Sequence, residues 1–496
     1  MKVYLALLVL TAPACLQAKD RLLPPGAPVY RFVPSKGWPY GPEGVHGAAL
    51  PAAEFAERRA AFLEEISKHG PGTVAIVRSA PMAVRNGDVE HEYRQDSDFI
   101  WLTGFPEPEA TAIFEPEFPG SEGSGGTAEK PPVYTLIVRA KDRRREMWEG
   151  ERIGPDRAVS EFGADRGETA RKTEELVREA ISRAKTLVLV NFLDDEFGEM
   201  VDRMVKERRD AKGDAPEVVD GRPWIWTRRM VKSPAEVEML RKAVEVTIEG
   251  HLAAMGASRP GMNEGEVEAA AEFAFRALGA PRLGYPSICG AGARSCVLHY
   301  DSNREFTGPN DLLLMDAGAE VGFYTADVTR TWPLSGTFTP EQRAIYEVVL
   351  RAQEAAFEKV RPGGSFLQVQ EASALAITRG LVHLGLLQGD PEELARDRAY
   401  GSFFPHGTSH WLGLDVHDAS GTRGRRRGLE PGMVFTVEPG IYIPEGMEGV
   451  DPKWWGIGVR IEDDVLVTKA GYENLSARLP RDPDEIEALV RGPAPH

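Results

Sequence analysis

The sequence predicts an α/β chain in which an N-terminal α/β domain precedes a C-terminal α+β domain built as two similar halves. Three observations predict it. A chain of 496 residues exceeds the size at which one hydrophobic core stops growing, so two domains are expected. Up to about residue 227, helical patterns alternate with short β-type runs. Beyond that point the order becomes helices, strands, helices, strands, which fits two α+β halves facing each other across a curved sheet.

Taken in order, residues 1–18 begin with Lys2, run through the apolar stretch from Val3 to Leu10 and reach Ala12, Ala14 and Ala18 before Lys19, Asp20 and Arg21. That pattern reads as a signal peptide cleaved after Ala18. An exported, periplasmic or extracellular protein is therefore expected. A lipid anchor through Cys15 is the alternative, but Ala12-Pro13-Ala14 lacks the leucine usual before an anchor cysteine. No later stretch offers the ~18 uninterrupted apolar residues of a membrane span. Residues 19–50 form an arm rich in Pro and Gly, without periodicity.

The first domain is assigned to residues 51–227. A helical pattern covers Ala52 to His69, and strand-like runs follow at Thr73 to Val77, Val133 to Val138 and Thr186 to Asn191. The Gly/Ser-rich residues 120–127 read as a surface loop between two strands. From Gly213 to Pro223 the pattern lapses. The second domain, residues 228–480, opens with Ser233-Pro234-Ala235-Glu236, a cap serine with proline in the first turn and an acid behind it. Helices are predicted over Glu236 to Met255, Glu264 to Leu278, Pro340 to Val360 and Ser365 to Leu384, with β-type runs after each pair. Residues 481–496 are a tail.

The balance of 59 Lys+Arg against 76 Asp+Glu, a formal charge of -17, argues against nucleic acid as a partner. The one basic run, Arg423 to Arg427, lies in a turn-rich stretch and reads as a solvated loop. Once Cys15 leaves with the signal, Cys289 and Cys296 remain. A bridge between them and two small buried side chains are both open readings, and neither makes a disulfide framework.

The chemistry concentrates in the second domain. Asp316 ends one strand-like run, and Thr325, Asp327 and Thr329 share a face of the next by the period of two, so antiparallel pairing brings both acids to one site. The later runs repeat the device: Glu438 shares a face with Thr436, and Arg460 with Glu462. Between them, His406, His410 and His417 place three of the ten histidines within twelve residues. One strand acid alone is usually solvated or salt-bridged. Four converging carboxylates repel one another unless protonated or neutralised, and two divalent cations carry the matching charge. An oxygen-rich set with one imidazole suits manganese, cobalt or iron better than a thiolate-type zinc site. Two ions ~3.5–4 Å apart supply what amide hydrolysis needs.

The segments Asp316-Ala-Gly, Asp327-Val-Thr-Arg-Thr-Trp, His406 to Asp418, Thr436-Val-Glu438-Pro-Gly-Ile-Tyr442 and Gly458-Val-Arg460-Ile-Glu462-Asp463 resemble the motifs of the pita-bread metallopeptidases, and within them bacterial aminopeptidase P. Tyr93 to Phe105 resembles that family's N-terminal domain, so the likeness runs from about Ala52 to Ser476. It implies a pita-bread fold with pseudo-twofold halves and a homo-oligomer. It also implies two divalent ions, manganese first with cobalt, iron or zinc as alternatives. Asp316 would then bind one ion, Asp327 and Glu462 both, and His410 and Glu438 the other. The resemblance makes a bridging hydroxide the nucleophile and Glu438 its proton shuttle, and sets His299, His406, His417, Tyr442 and Arg460 around the substrate. The implied activity is release of the residue before proline from Xaa-Pro-Yaa peptides. The alternatives are a prolidase acting on Xaa-Pro dipeptides and a pita-bread binding protein without catalysis. Thr408 and Ala419-Ser420 depart from the family pattern without removing a ligand.

Overall fold

The computed structural model describes residues 45–47, 49–116, 133–191, 196–419 and 427–492. The signal-like segment with Cys15, most of the arm, the Gly/Ser-rich loop, Ser420 and the basic run up to residue 426 lie outside them.

The N-terminal domain is built on a six-stranded mixed sheet. Its strands run, edge to edge, Arg166–Thr169, Tyr134–Val138, Thr111–Phe114, Thr73–Arg78, Thr186–Val190 and Glu217–Asp220. The β-branched Thr73–Arg78 is central because five of its six residues are buried; it pairs antiparallel with Thr111–Phe114 and parallel with Thr186–Val190. One face packs against helices Thr173–Arg183 and Glu196–Lys212, where Val74, Ile76, Ile113 and Ile137 meet Val177, Ile181, Val201 and Met204. Phe62 of helix Ala52–Ser67 sits against Phe114 and Trp224, with ring centroids 5.3 and 5.6 Å away.

The stretch that reads as a lapse, Gly213 to Pro223, contains the strand Glu217–Asp220, which pairs in parallel with Thr186–Val190. It is a four-residue edge strand with three exposed residues, so no burial pattern marks it in the sequence. Helix Arg222–Arg229 then leads to the second domain.

Four long helices of that domain start with capping boxes: Ser233 with Glu236, Asn263 with Glu266, Thr339 with Gln342 and Ser365 with Gln368. Each box satisfies two otherwise unpaired backbone donors. Helices Pro234–Ala257 and Glu264–Ala277 pack together in the first half, and Pro340–Phe357 and Phe366–His383 in the second. A β-carbon on Gly380 would lie 2.3 Å from a methyl of Val348, so only glycine permits the second crossing. Each pair is followed by its strands. In the first half Leu312–Ala317 pairs antiparallel with Val328–Pro333, placing Asp316 opposite Thr329. In the second, Val434–Val437 pairs with Asp463–Thr468, and Gly440–Ile443 with Ile457–Arg460.

The halves join where Glu462 N–H donates to Thr329 O at 3.1 Å and the Thr331 hydroxyl donates to Arg460 O at 3.0 Å. The buried Arg330–Asp463 ion pair, 2.7 Å apart and both side chains fully enclosed, locks the seam. Here the geometry corrects the expectation of continuous strands. Thr325 belongs to a separate short ladder with Glu320, and Asp327 lies in the break before Val328. Its N–H goes to Asp464 Oδ2, at 3.1 Å, rather than to a ladder partner. Glu462 likewise lies between strands. Cys289 and Cys296 are free thiols, the first buried. The tail contains the helix Pro483–Arg491, capped by Asp482 and holding Ile486 in the core.

Candidate metal centre

A cavity of about 600 Å³ is lined by all five predicted metal ligands: Asp316, Asp327, His410, Glu438 and Glu462. Asp316 sits in the ladder of Leu312–Ala317, Asp327 and Glu462 lie between strands, and Glu438 directly follows Val434–Val437. Ligand atoms of Asp327, His410 and Glu462 lie within 4.8 Å of one another. His410 Nε2 stands 3.2 Å from Asp327 Oδ2 and 3.4 Å from Glu438 Oε1. Its Nδ1–H donates to Trp411 O at 3.2 Å, which leaves Nε2 facing the acids. The Thr436 hydroxyl donates to Glu438 Oε1 at 3.3 Å, as the shared face anticipates.

The carboxyl groups are not alike. Burial raises Glu438 to about 7 against the relief that His410 gives. Burial, then the charges of Asp327 and Glu438, lift Glu462 well above the carboxylate range. Burial and Asp316 also raise Asp327. Asp316 alone is lowered: burial opposes this, but Arg460 at 2.6 Å and the hydrogen bonds around it prevail. The same acids raise His410, despite its burial, to about 9. A cleft whose acids are pushed toward the neutral form lacks positive charge. Oxygen donors with one imidazole are the set that divalent first-row cations take, so the residues present fit such ions.

His299, His406, His417 and Arg460 also line the cavity. Arg460 is pinned, donating to Asp316 Oδ2, to Tyr442 Oη at 3.0 Å and to Thr329 Oγ1 at 3.1 Å. Burial, then Arg460, lowers His406 to about 4. With Nδ1–H donating to Gly407 O at 3.0 Å, its Nε2 accepts from Tyr442 Oη at 2.7 Å. Tyr442 is 4% exposed and stands behind Arg460 and His406 instead of walling the cavity as expected. The rings of His417 and His410 lie 4.2 Å apart, centroid to centroid. Thr408 is buried, its N–H and hydroxyl bound to Gln370 Oε1.

Three participants escape sequence reasoning. The Tyr285 hydroxyl contacts both Asp316 and Asp327; a lone tyrosine before Pro286 carries no pattern. Asp464 holds the Asp327 backbone. Thr329 donates to Glu462 Oε2 at 2.6 Å, and only its place on the predicted face of Asp327 signals it.

Two facing α+β halves around such a cleft, preceded by an α/β domain, define a pita-bread metallopeptidase. Residues 238–469 match metallopeptidase family M24, and residues 55–189 match the aminopeptidase P N-terminal domain. The chain belongs to the aminopeptidase P group of family M24. It is 39% identical over 446 residues to the Xaa-Pro aminopeptidase of Escherichia coli (strain K12), spanning 88% of this chain and 97% of that one. Identity to Xaa-Pro aminopeptidase 3 of Homo sapiens is 33%, over 89% and 86% of the two chains. The structure of Pseudomonas aeruginosa aminopeptidase PepP is similar with a TM-score of 0.83 and 42% identity, covering 90% of this chain and 99% of that one.

Proposed function

We propose that this enzyme releases the N-terminal residue from peptides with proline in second position. The observation that carries the reading is the five-donor cleft in a chain whose relatives, matched along nearly their whole length, are named Xaa-Pro aminopeptidases. Asp316, Asp327, His410, Glu438 and Glu462 would hold two divalent cations, and the family resemblance would have Asp327 and Glu462 serve both. Manganese is the first candidate. Bound there, two such ions would activate a water and polarise the scissile carbonyl.

The protein's own groups supply the rest. The scissile nitrogen, here proline's and without a hydrogen of its own as an amide, must, like any amide nitrogen, receive a proton to leave as an amine. Glu438, which lines the cleft beside His410, is the group to take it from water and deliver it. His417 donates to the developing oxyanion. Arg460, always charged and held by Asp316 and Tyr442, anchors carbonyl or carboxylate oxygens of the substrate. His406, neutral, presents a flat semi-polar wall for the proline ring together with His299.

Export is supported by the Lys2 to Ala18 pattern, and a homo-oligomer by the family resemblance. The test is cleavage of Ala-Pro-Ala, Ala-Pro and Ala-Ala-Ala by enzyme loaded in turn with manganese, cobalt and zinc. Ala-Pro-Ala should be cut fastest, between Ala and Pro. Faster cleavage of Ala-Pro indicates a prolidase, and preference for Ala-Ala-Ala removes proline specificity.

A further inference from the structure

His417 lies in a short loop whose two flanks are held by charge. Asp415 precedes it by two residues and Asp418 follows it directly. Both carboxylates accept from Arg229, at the end of helix Arg222–Arg229, with Nη2 2.6 Å from Asp415 Oδ2. Lys232 Nζ donates to the other oxygen of Asp418 at 3.0 Å. The second arm of the same guanidinium, Nη1, donates to Asp98 Oδ1 at 2.6 Å. Asp98 belongs to the N-terminal domain, where Trp226 Nε1–H holds its other oxygen at 3.0 Å.

A second strand of contacts runs beside the first. Ser97 donates to Asp415. Arg94 donates to Leu414 O and, at 2.6 Å, to Glu320, whose other oxygen takes Arg282. The loop is tied in turn to the metal-site hairpin, since Thr325 N–H donates to Gly413 O at 3.0 Å. Four cations, Arg94, Arg229, Lys232 and Arg282, thus meet four acids, Asp98, Glu320, Asp415 and Asp418.

Such a cluster is a poor source of stability. Arg229, Asp98, Lys232 and Asp418 are each at most 5% exposed, and desolvating them offsets most of their attraction. What a buried, multiply bonded ion cluster gives is fixed geometry: each carboxylate has both oxygens spoken for, so the backbone that carries it cannot rock. Asp418 is moreover held ionised, Arg229 and Lys232 overcoming its burial. His417 lines the cleft between these two held carboxylates, so fixing them fixes the backbone that carries its ring.

We infer that the Asp98–Arg229–Asp418 cluster is an inter-domain clamp through which the N-terminal domain positions His417 for the reaction. Asp98, Arg229 and Asp418 are positioning residues; none lines the cavity. The inference rests on the oxyanion role given to His417.

The experiment is a double-mutant cycle on the metal-loaded full chain, pairing Asp98→Asn with His417→Ala. Asp98→Asn keeps shape and removes the charge at the far end of the clamp, away from the metal-bearing loops. It should lower kcat about ten- to hundredfold, as expected for a misplaced group, with KM and metal content unchanged, and Asp98→Glu should recover part of the loss. In the His417→Ala background the same substitution should change kcat less than about twofold, because a group already removed cannot be misplaced. Full multiplication of the two effects overturns the clamp while leaving His417 its role. An undiminished kcat in His417→Ala overturns that role, and the clamp with it. Should Asp98→Asn fold poorly, Arg229→Lys, which keeps the charge but loses the fork, tests the same cycle.

Discussion

In the N-terminal sheet Val74, Ile76, Ile113 and Ile137 pack against other apolar side chains, and many of that domain's ion pairs, such as Lys141–Glu151, lie at the surface. In the cleft of the second domain Asp316, Asp327, Arg460 and Glu462 are buried as well. The sheet gains from every residue it buries, at about 25 cal/mol per Å² of apolar surface, whereas its surface pairs add little. The cleft loses by burial, as the raised carboxyl groups of Glu438 and Glu462 record. A protein carries such a cost where chemistry needs it, and the rigid apolar scaffold is what makes it tolerable.

The largest effect that would break this contrast is at the two acids proposed to be shared. Asp327→Asn and Glu462→Gln should each lose at least one bound metal and roughly 10³ or more in kcat. The metal-free variants should unfold no earlier than the metal-free parent, since a carboxyl that burial and its acidic neighbours disfavour as an anion has become a neutral amide. Metal analysis and calorimetry read both; full metal content with near-normal turnover refutes the assignment.

Next in size, the two facing histidines should separate. His410→Ala should lose metal occupancy. His417→Ala should keep it and lose roughly 10²–10³ in kcat, the scale of one oxyanion donor. Equal metal loss in both would erase the distinction between holding metal and stabilising charge.

The smallest effect sharpens the comparison from the scaffold's side, because in the N-terminal domain burial raises Asp96 and Asp98 as it raises acids of the cleft. Asp96 caps helix Ser97–Thr103, accepting from Phe99 N–H at 2.8 Å. Burial, then Asp98, raises it to about 6. A carboxyl raised on folding binds its proton more tightly in the native state, so stability falls as pH climbs from the unfolded value through about 6. Asp96→Asn keeps a capping side chain of equal rank. It should raise Tm at pH 8, by an amount worth ~1 kcal/mol or more, and leave it unchanged or lower near pH 4. Tm curves for both proteins that run parallel over this range would rule it out.

Much of this was legible in the chain. The helix starts carry capping residues at fixed spacing, and the inner strands are β-branched and apolar. Asp316, Asp327, Glu438 and Glu462 sit in strand-like runs near a cluster of histidines. The edge strand Glu217–Asp220 was not legible because exposure leaves it no alternation. Nor were the breaks at Asp327 and Glu462, which depend on bonds to Asp464 and Thr329, far away along the chain.

The sequence by itself determined which residue types are at hand: alternating elements, two domains and a ligand set rich in oxygen. Those are local properties, set by periodicity, capping and side-chain chemistry. Only the tertiary structure decided that Arg460 holds Asp316 ionised while Glu438 and Glu462 are pushed up, that Tyr285 joins the two first-half acids, and that Tyr442 stands behind the wall. It also decided that Arg229 reaches Asp98 and Asp418 at once. The physical reason is that electrostatic character follows distance and burial, and both arise between residues that only the folded chain brings together.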